Sequence, residues 1–195
     1  MRLKIKSLLA AFCLVLVISS CESEAEKKKR LAKEKQERIE LKAKKEKERR
    51  KKAIHDKYID NSLETGATPY SKYYGGNSSC DNYGCSQLKV KTSDSDVIVI
   101  IKKSENVVRH AYISSNSSYK FSFPDGTYQT FFYYGKGWNP EKKMKGGKMK
   151  GGFIDNEDFG KDESQTLSNN ILEYQLILRE NGNFRTRPSN PEEAL

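Results

Sequence analysis

The sequence predicts an all-β fold for residues 61–195, an antiparallel β-sandwich or small barrel of about seven strands, preceded by an export leader and a charged α-helical stalk. Three observations predict it. From about Asn61 the composition turns from lysine-rich to Tyr, Gly, Ser and Asn, with β-branched and aromatic residues in clusters. Short apolar or alternating runs then follow one another closely. Between them stand Pro124-Asp125-Gly126 and Asn181-Gly182, whose Asp-Gly and Asn-Gly steps supply the positive φ that tight hairpins need.

The leader comes first in order. Arg2, Lys4 and Lys6 precede an apolar run from Leu8 to Ile18, which ends in Ser19, Ser20 and Cys21, the layout of an export signal. The run is about half the roughly 20 residues a helix needs to cross a hydrocarbon core, so a permanent span is not predicted. Ile18-Ser19-Ser20-Cys21 resembles the lipobox of bacterial lipoproteins: an aliphatic residue, two small ones and a cysteine. That resemblance implies a diacylglycerol on the Cys21 thiol, cleavage just before it and acylation of the new amino terminus. It places residues 1–20 in a lipoprotein signal peptide and the mature chain on a membrane of the cell envelope. Glu22 after the anchor inclines the expectation to the outer rather than the inner membrane. One acyl chain holds only reversibly, whereas two or three hold firmly.

Residues 21–60 form the stalk. From Glu22 to Lys57 the chain is mostly Lys, Glu, Arg and Ala with no Gly or Pro, a composition that favours helix. Glu24 and Lys28, Glu26 and Arg30, Glu34 and Arg38, Glu40 and Lys44, Glu46 and Arg50, and Glu48 and Lys52 all set the acid four residues before the base, each pair contributing about 0.2–0.5 kcal/mol. Leu31, Ile39, Leu41, Ile54 and Tyr58 do not recur at heptad spacing, so a solvated single helix is preferred and a coiled coil is the alternative. At about 1.5 Å per residue it would extend on the order of 50 Å. A spacer is the leading role, and contact with anionic head groups or acidic wall polymers is the other.

The formal net charge of +10 invites a nucleic-acid reading until its distribution is checked. Residues 22–60 carry sixteen basic and ten acidic side chains, while residues 61–195 carry seventeen and sixteen. The folded part is therefore almost neutral, and export sets nucleic acid aside as a partner. Of the four cysteines, Cys13 leaves with the leader and Cys21 takes lipid. Cys80 and Cys85 remain, and in an exported chain such a pair reads as a disulfide, with free thiols as the alternative.

The candidate strands are Gln87–Lys91, Asp96–Lys102, Val107–Ile113, Tyr119–Phe123, Thr127–Tyr134, Leu172–Arg179 and a short one around Phe184–Thr186. Val97–Ile101 is apolar at every position, which suits a strand covered on both faces. Residues 135–170 show no strand pattern and read as a long loop, within which Met144-Lys145-Gly146-Gly147 nearly repeats as Met149-Lys150-Gly151-Gly152. Gly66-Ala67-Thr68-Pro69-Tyr70, Tyr74-Gly75, Phe132 to Pro140 and Gly152-Phe153 resemble uncharacterised secreted lipoproteins of Gram-negative bacteria. That resemblance implies an all-β fold and transfers no activity.

The chemistry-bearing residues are few. His110 is the one histidine of the domain, and it reads as a packed strand residue rather than a base. Asp155, Glu157 and Gly160 begin a calcium-loop pattern that Phe159 and Thr166 break. No cofactor or metal site is expected. Aromatics leaving the Thr127–Tyr134 strand give the sharpest hint of binding: Tyr134 and Trp138, with Tyr74 and its neighbours Tyr70 and Tyr73, form a candidate platform for sugar or peptide. The expected function is a membrane-anchored binding or structural module of the envelope, with glycan or protein as partner and no enzyme activity. An unrecognised envelope hydrolase is the alternative.

Overall fold

The structure is a computed structural model that describes residues 23–81, 83–176 and 186–195. The leader, Cys21, the Asn181-Gly182 turn, the end of the Leu172–Arg179 strand and most of the Phe184–Thr186 strand lie outside the described residues. The chain divides into two compact units at Lys52/Ala53.

Helix α1 runs over Glu24–Tyr58, and most of it belongs to the first unit. Its start is set by a capping box: the Ser23 amide donates to Glu26 Oε2 at 3.0 Å, and Ser23 Oγ accepts from the Glu26 amide at 3.2 Å. The donation from the Ser23 amide, with a second from Ser23 Oγ at 3.0 Å, holds the Glu26 carboxyl below the usual range. The anticipated Glu46–Arg50 pair forms at 2.9 Å, while Arg30–Glu34 and Lys33–Glu37 form in the opposite order at 3.6 and 3.9 Å. All of these pairs are exposed and worth tenths of a kcal/mol. Leu31, Ile39 and Leu41 remain about half exposed, so no apolar seam is buried along this part of the helix.

The second unit is mostly β-sheet. Its described strands are β1 (Cys85–Thr92), β2 (Asp96–Lys103), β3 (Asn106–Ile113), β4 (Ser118–Pro124), β5 (Gly126–Met144), β6 (Met149–Lys161), β7 (Gln165–Leu167), β8 (Ile171–Leu176) and β9 (Arg187–Pro188). Two short helices, α2 (Ser71–Tyr74) and α3 (Pro191–Ala194), accompany them. One sheet has the order β4-β1-β8; the other has the order β3-β2-β5-β6-β9, with β7 also paired to β5. The first four expected strands fall where the sequence placed them.

Three expectations are corrected. Residues 135–170 are not a long loop: β5 continues to Met144, turns at Lys145–Gly147 and returns as β6, so that this hairpin is the spine of the larger sheet. Its Lys and Gly content hid it. The repeated tetrapeptide does two different jobs there. In the first copy Lys145, Gly146 and Gly147 all take positive φ and make the turn. In the second, Gly151 (φ +105°) lies under Trp138, where an added Cβ would sit 2.6 Å from the indole.

Pro124-Asp125-Gly126 is not a hairpin turn. β4 pairs with β1, whereas β5 pairs with β2, β6 and β7, so the chain crosses from one sheet to the other at Asp125. The Asp125 carboxylate fastens the crossing, accepting from Ser86 Oγ and from the Asn169 amide at 2.8 Å. Nor is every pair antiparallel. After β7 the chain passes to the smaller sheet and lays β8 parallel to β1, from Gln87↔Ile171 to Thr92↔Leu176.

Apolar packing explains the layering. Leu88, Val90, Phe121, Phe123 and Tyr174 of the smaller sheet share one buried cluster with Val97, Val99, Ile101, Ala111 and Phe132 of the larger. On the other face of the larger sheet Ile98, Ile100, Tyr112, Phe131, Tyr133, Trp138 and Phe153 pack with Tyr70, Ala194 and Leu195. Every residue from Val97 to Ile101 is fully buried, as a strand covered on both faces requires. The outer edge of β3 is closed by Gly66 and Ala67, which bond the Tyr112 backbone, and by the Asn77 amide, which bonds both the N–H and the C=O of His110 as a strand would.

Candidate functional site

The expected aromatic platform does not assemble. Phe131 and Tyr133 face one cluster, Phe132 and Tyr134 the other. A register shift between Tyr134 and Lys136, followed by Gly137 at φ +73°, interrupts the alternation, so Trp138 joins the face of Tyr133 and not that of Tyr134. Trp138 is only 3 % exposed, ringed by Tyr70, Tyr112 and Phe153 at centroid distances of 5.5–6.1 Å. It has no free face to offer a ligand. Tyr134 stacks on Phe132 at 6.1 Å, and burial raises its phenol pKa. Of the candidate platform residues, Tyr74 and its neighbour Tyr73 border an open cleft.

His110 is a core residue. It is 1 % exposed, stacked against Tyr70 and edge-on to Tyr74. Its Nε2 accepts from the Tyr70 amide at 3.2 Å, and a second bond reaches the Thr68 backbone. Burial lowers its pKa. An imidazole whose lone pair is already engaged has nothing left with which to take a proton from a substrate.

The acidic stretch is absorbed into β6 and its end. Tyr133 Oη donates to Glu157, which Lys142 also pairs with, and Tyr174 Oη donates to Asp162 at 2.6 Å. Among the described residues no group of three or more His, Cys, Asp or Glu is placed to hold a metal ion. The Cys80 and Cys85 sulfurs lie 2.11 Å apart, at disulfide distance. They close a loop that carries Tyr83 at 99 % exposure.

The open cleft, of about 430 Å³, lies between α2, the β2–β3 turn, the β5–β6 turn and α3. Tyr73 forms its rim: the ring is 40 % exposed, and Oη accepts from the Lys150 amide at 3.1 Å. Tyr74 Oη donates to the Leu195 carbonyl. Lys102 is 7 % exposed, with Nζ donating to the Glu193 carbonyl and lying 5.1 Å from the Phe131 ring centroid. Burial lowers its pKa and the like charge of Lys145 adds to that, against Glu105 and Glu193. Glu193 in turn pairs with Lys161 and accepts from Ser189 Oγ at 3.0 Å, which holds its carboxyl below the usual range. A second cleft of about 330 Å³ shares Lys145 and Glu192 with the first.

No family model, curated protein or solved structure matches this chain. The cleft therefore has to be read from its own chemistry. An aromatic rim over ammonium and carboxylate groups suits a polar ligand with both donors and acceptors. Sequence reasoning missed Lys102 and the α3 residues. The signal for α3 was legible, since Asn190-Pro191 followed by two Glu is a helix start with Pro at the first position, and Asn190 Oδ1 does accept from the Glu193 amide at 3.0 Å.

Proposed function

We propose that this chain is an exported lipoprotein of the bacterial cell envelope, held on a membrane, the outer in preference to the inner, by acyl chains on Cys21, and that its β unit is a binding or structural module. The observation that carries the reading is the use of the cysteines. Cys80 and Cys85 lie at disulfide distance, which suits an oxidising compartment, and Cys21 stands where the lipobox-like Ile18-Ser19-Ser20 would present it for lipidation. The two sheets, with one cluster between them, are read as the halves of a sandwich whose larger sheet is covered again on its outer face. The cleft rimmed by Tyr73 is where a glycan or a protein segment would bind.

The anchor is tested by growing cells with labelled fatty acid and comparing the chain with Cys21→Ala. Label on the wild type and none on the variant supports the reading; a variant still labelled and cut at the same place removes it. The cleft is tested separately by an envelope-glycan binding screen with Tyr73→Ala and Glu105→Gln. Binding that survives both changes unaltered would rule the cleft out.

A further inference from the structure

The surplus charge of α1 is not spread evenly round the helix. At about 100° per residue, Lys28, Lys35, Lys42 and Arg49 follow one another every seven positions, forming a row with about 10 Å between neighbours and only about 20° of drift at each step. Leu31, Arg38 and Lys45 flank the row on one side, Ala32 and Ile39 on the other. Of the seven acids between Glu24 and Lys52, Glu26, Glu37 and Glu40 fall on the opposite third of the circumference, Glu34 and Glu48 stand about 100° from the row, and Glu24 and Glu46 lie on its two flanks. The bases on that acidic face include Arg30, which pairs with Glu34, and Lys33, which pairs with Glu37. On the cationic face Arg49 shares Glu46 with Arg50, but among the described residues no acid lies within ion-pair distance of Lys28, Lys35 or Lys42. Leu31 and Ile39 are each 52 % exposed on this same face.

We propose that α1 lies lengthwise on an anionic lipid bilayer, docked by the face that carries Lys28, Lys35, Lys42 and Arg49. The proposal rests on the reading of Cys21 as a lipid anchor, which puts the capped helix start at Ser23 two residues from the surface. Charge complementarity selects an anionic partner. The aliphatic groups select a bilayer over a soluble polymer, because Leu31 and Ile39 gain from an acyl boundary and nothing from a hydrated acid. Lysine stems reach past them to the head groups.

The test uses the full chain, purified with its lipid and reconstituted into phosphatidylcholine vesicles with or without phosphatidylglycerol. An environment-sensitive dye is placed at Ile39→Cys, on the docking face, or at Leu41→Cys, about 160° away round the helix. With phosphatidylglycerol, quenching by an aqueous quencher should fall several-fold at position 39 and stay unchanged at 41. The protection should vanish at high salt and in Lys28→Gln/Lys35→Gln/Lys42→Gln, since each base near such a surface contributes about a fivefold factor in binding. Equal quenching at the two positions on retained protein, or protection induced by a soluble acidic polymer and not by phosphatidylglycerol, overturns the proposal. Loss of the protein from both kinds of vesicle overturns the anchor on which it rests.

Discussion

Replacing His110 gives a sharp test of the core of the β unit, because the buried imidazole makes stability depend on pH in a predictable window. Protonation would set a second N–H against the Tyr70 amide 3.2 Å away, inside a cluster that excludes water, so the folded pKa lies below the unfolded value of about 6.5. At pH below that value the unfolded chain binds a proton that the folded chain refuses. Stability is therefore complete above about pH 6.5 and falls as pH drops beneath it, until the folded pKa is reached. The loss between pH 7.5 and 5.5 is bounded by protonation of the unfolded imidazole, at no more than about 1.4 kcal/mol. The carboxyls held below their usual range, such as Glu173 and Glu193, act in the same sense only nearer pH 4. Urea denaturation followed by the fluorescence of Trp138, the single tryptophan, reads the effect in a His55→Gln background that leaves one histidine to titrate. His110→Gln should be less stable at pH 7.5 and should lose the acid-side decline. If the decline persists undiminished in His110→Gln, the account of this imidazole is wrong.

Three further predictions concern packing and the bridge. Trp138→Ala should lower the unfolding free energy by about 3–5 kcal/mol, as loss of a core aromatic does; a change of only tenths in a denaturant titration would mean the ring is not packed as described. Gly151→Ala should cost about 2–4 kcal/mol, combining positive φ with a collision against the indole, whereas Gly146→Ala, at φ +62° with open space around it, should cost about 1 kcal/mol. Similar losses for the two would remove the Trp138 contact as the cause. Cys80→Ser with Cys85→Ser should cost about 2 kcal/mol, near the small end for disulfides because so short a loop is closed, and reductant should reproduce that loss in the wild type and leave the double variant unmoved.

How far the fold could be read depends on whether its instructions are local. β1 and β4 alternate within their own sequence, β2 and β3 are marked by local β-branched and apolar clusters, and the acid-before-base pairs with no Gly or Pro make α1 plain. The β5–β6 hairpin failed that test. Gly151 and Gly152 weaken any propensity-based strand assignment, yet Gly151 is there because Trp138 lies across the backbone, a reason that resides thirteen residues away. The Asp125 crossing misled in the opposite way: Asp-Gly is a strong local turn signal, but the partners of β4 and β5 are chosen by long-range pairing, and the turn serves a change of sheet. The candidate platform failed for a third reason. Tyr134 and Trp138 share a parity, and only a register shift invisible in the sequence puts them on opposite faces.

The tyrosines explain why recognition seemed to be written where packing was. A sheet buried on both faces needs large side chains on both, and a phenol fills that space only if its hydroxyl finds a partner. The Tyr112 hydroxyl donates a hydrogen bond to Asp96, Tyr133 to Glu157, Tyr174 to Asp162, Tyr70 to the Gly151 carbonyl and Tyr128 to the Pro124 carbonyl. All but the Tyr128 bond, which spans four residues, join positions at least twelve residues apart in sequence, and burial raises all five phenol pKa values. Asp96, Glu157 and Asp162 are thus mates of core tyrosines, and two of the three lie in the stretch from Asp155 to Glu163 that looks like a cation loop. Recognition by aromatic faces is left to the rings that the core does not consume. Among the described residues these include Tyr73 on the rim of the cleft and Tyr83 at the tip of the Cys80–Cys85 loop, and a binding partner found for the β unit should lose affinity when one of these two is changed and not when Tyr134 is.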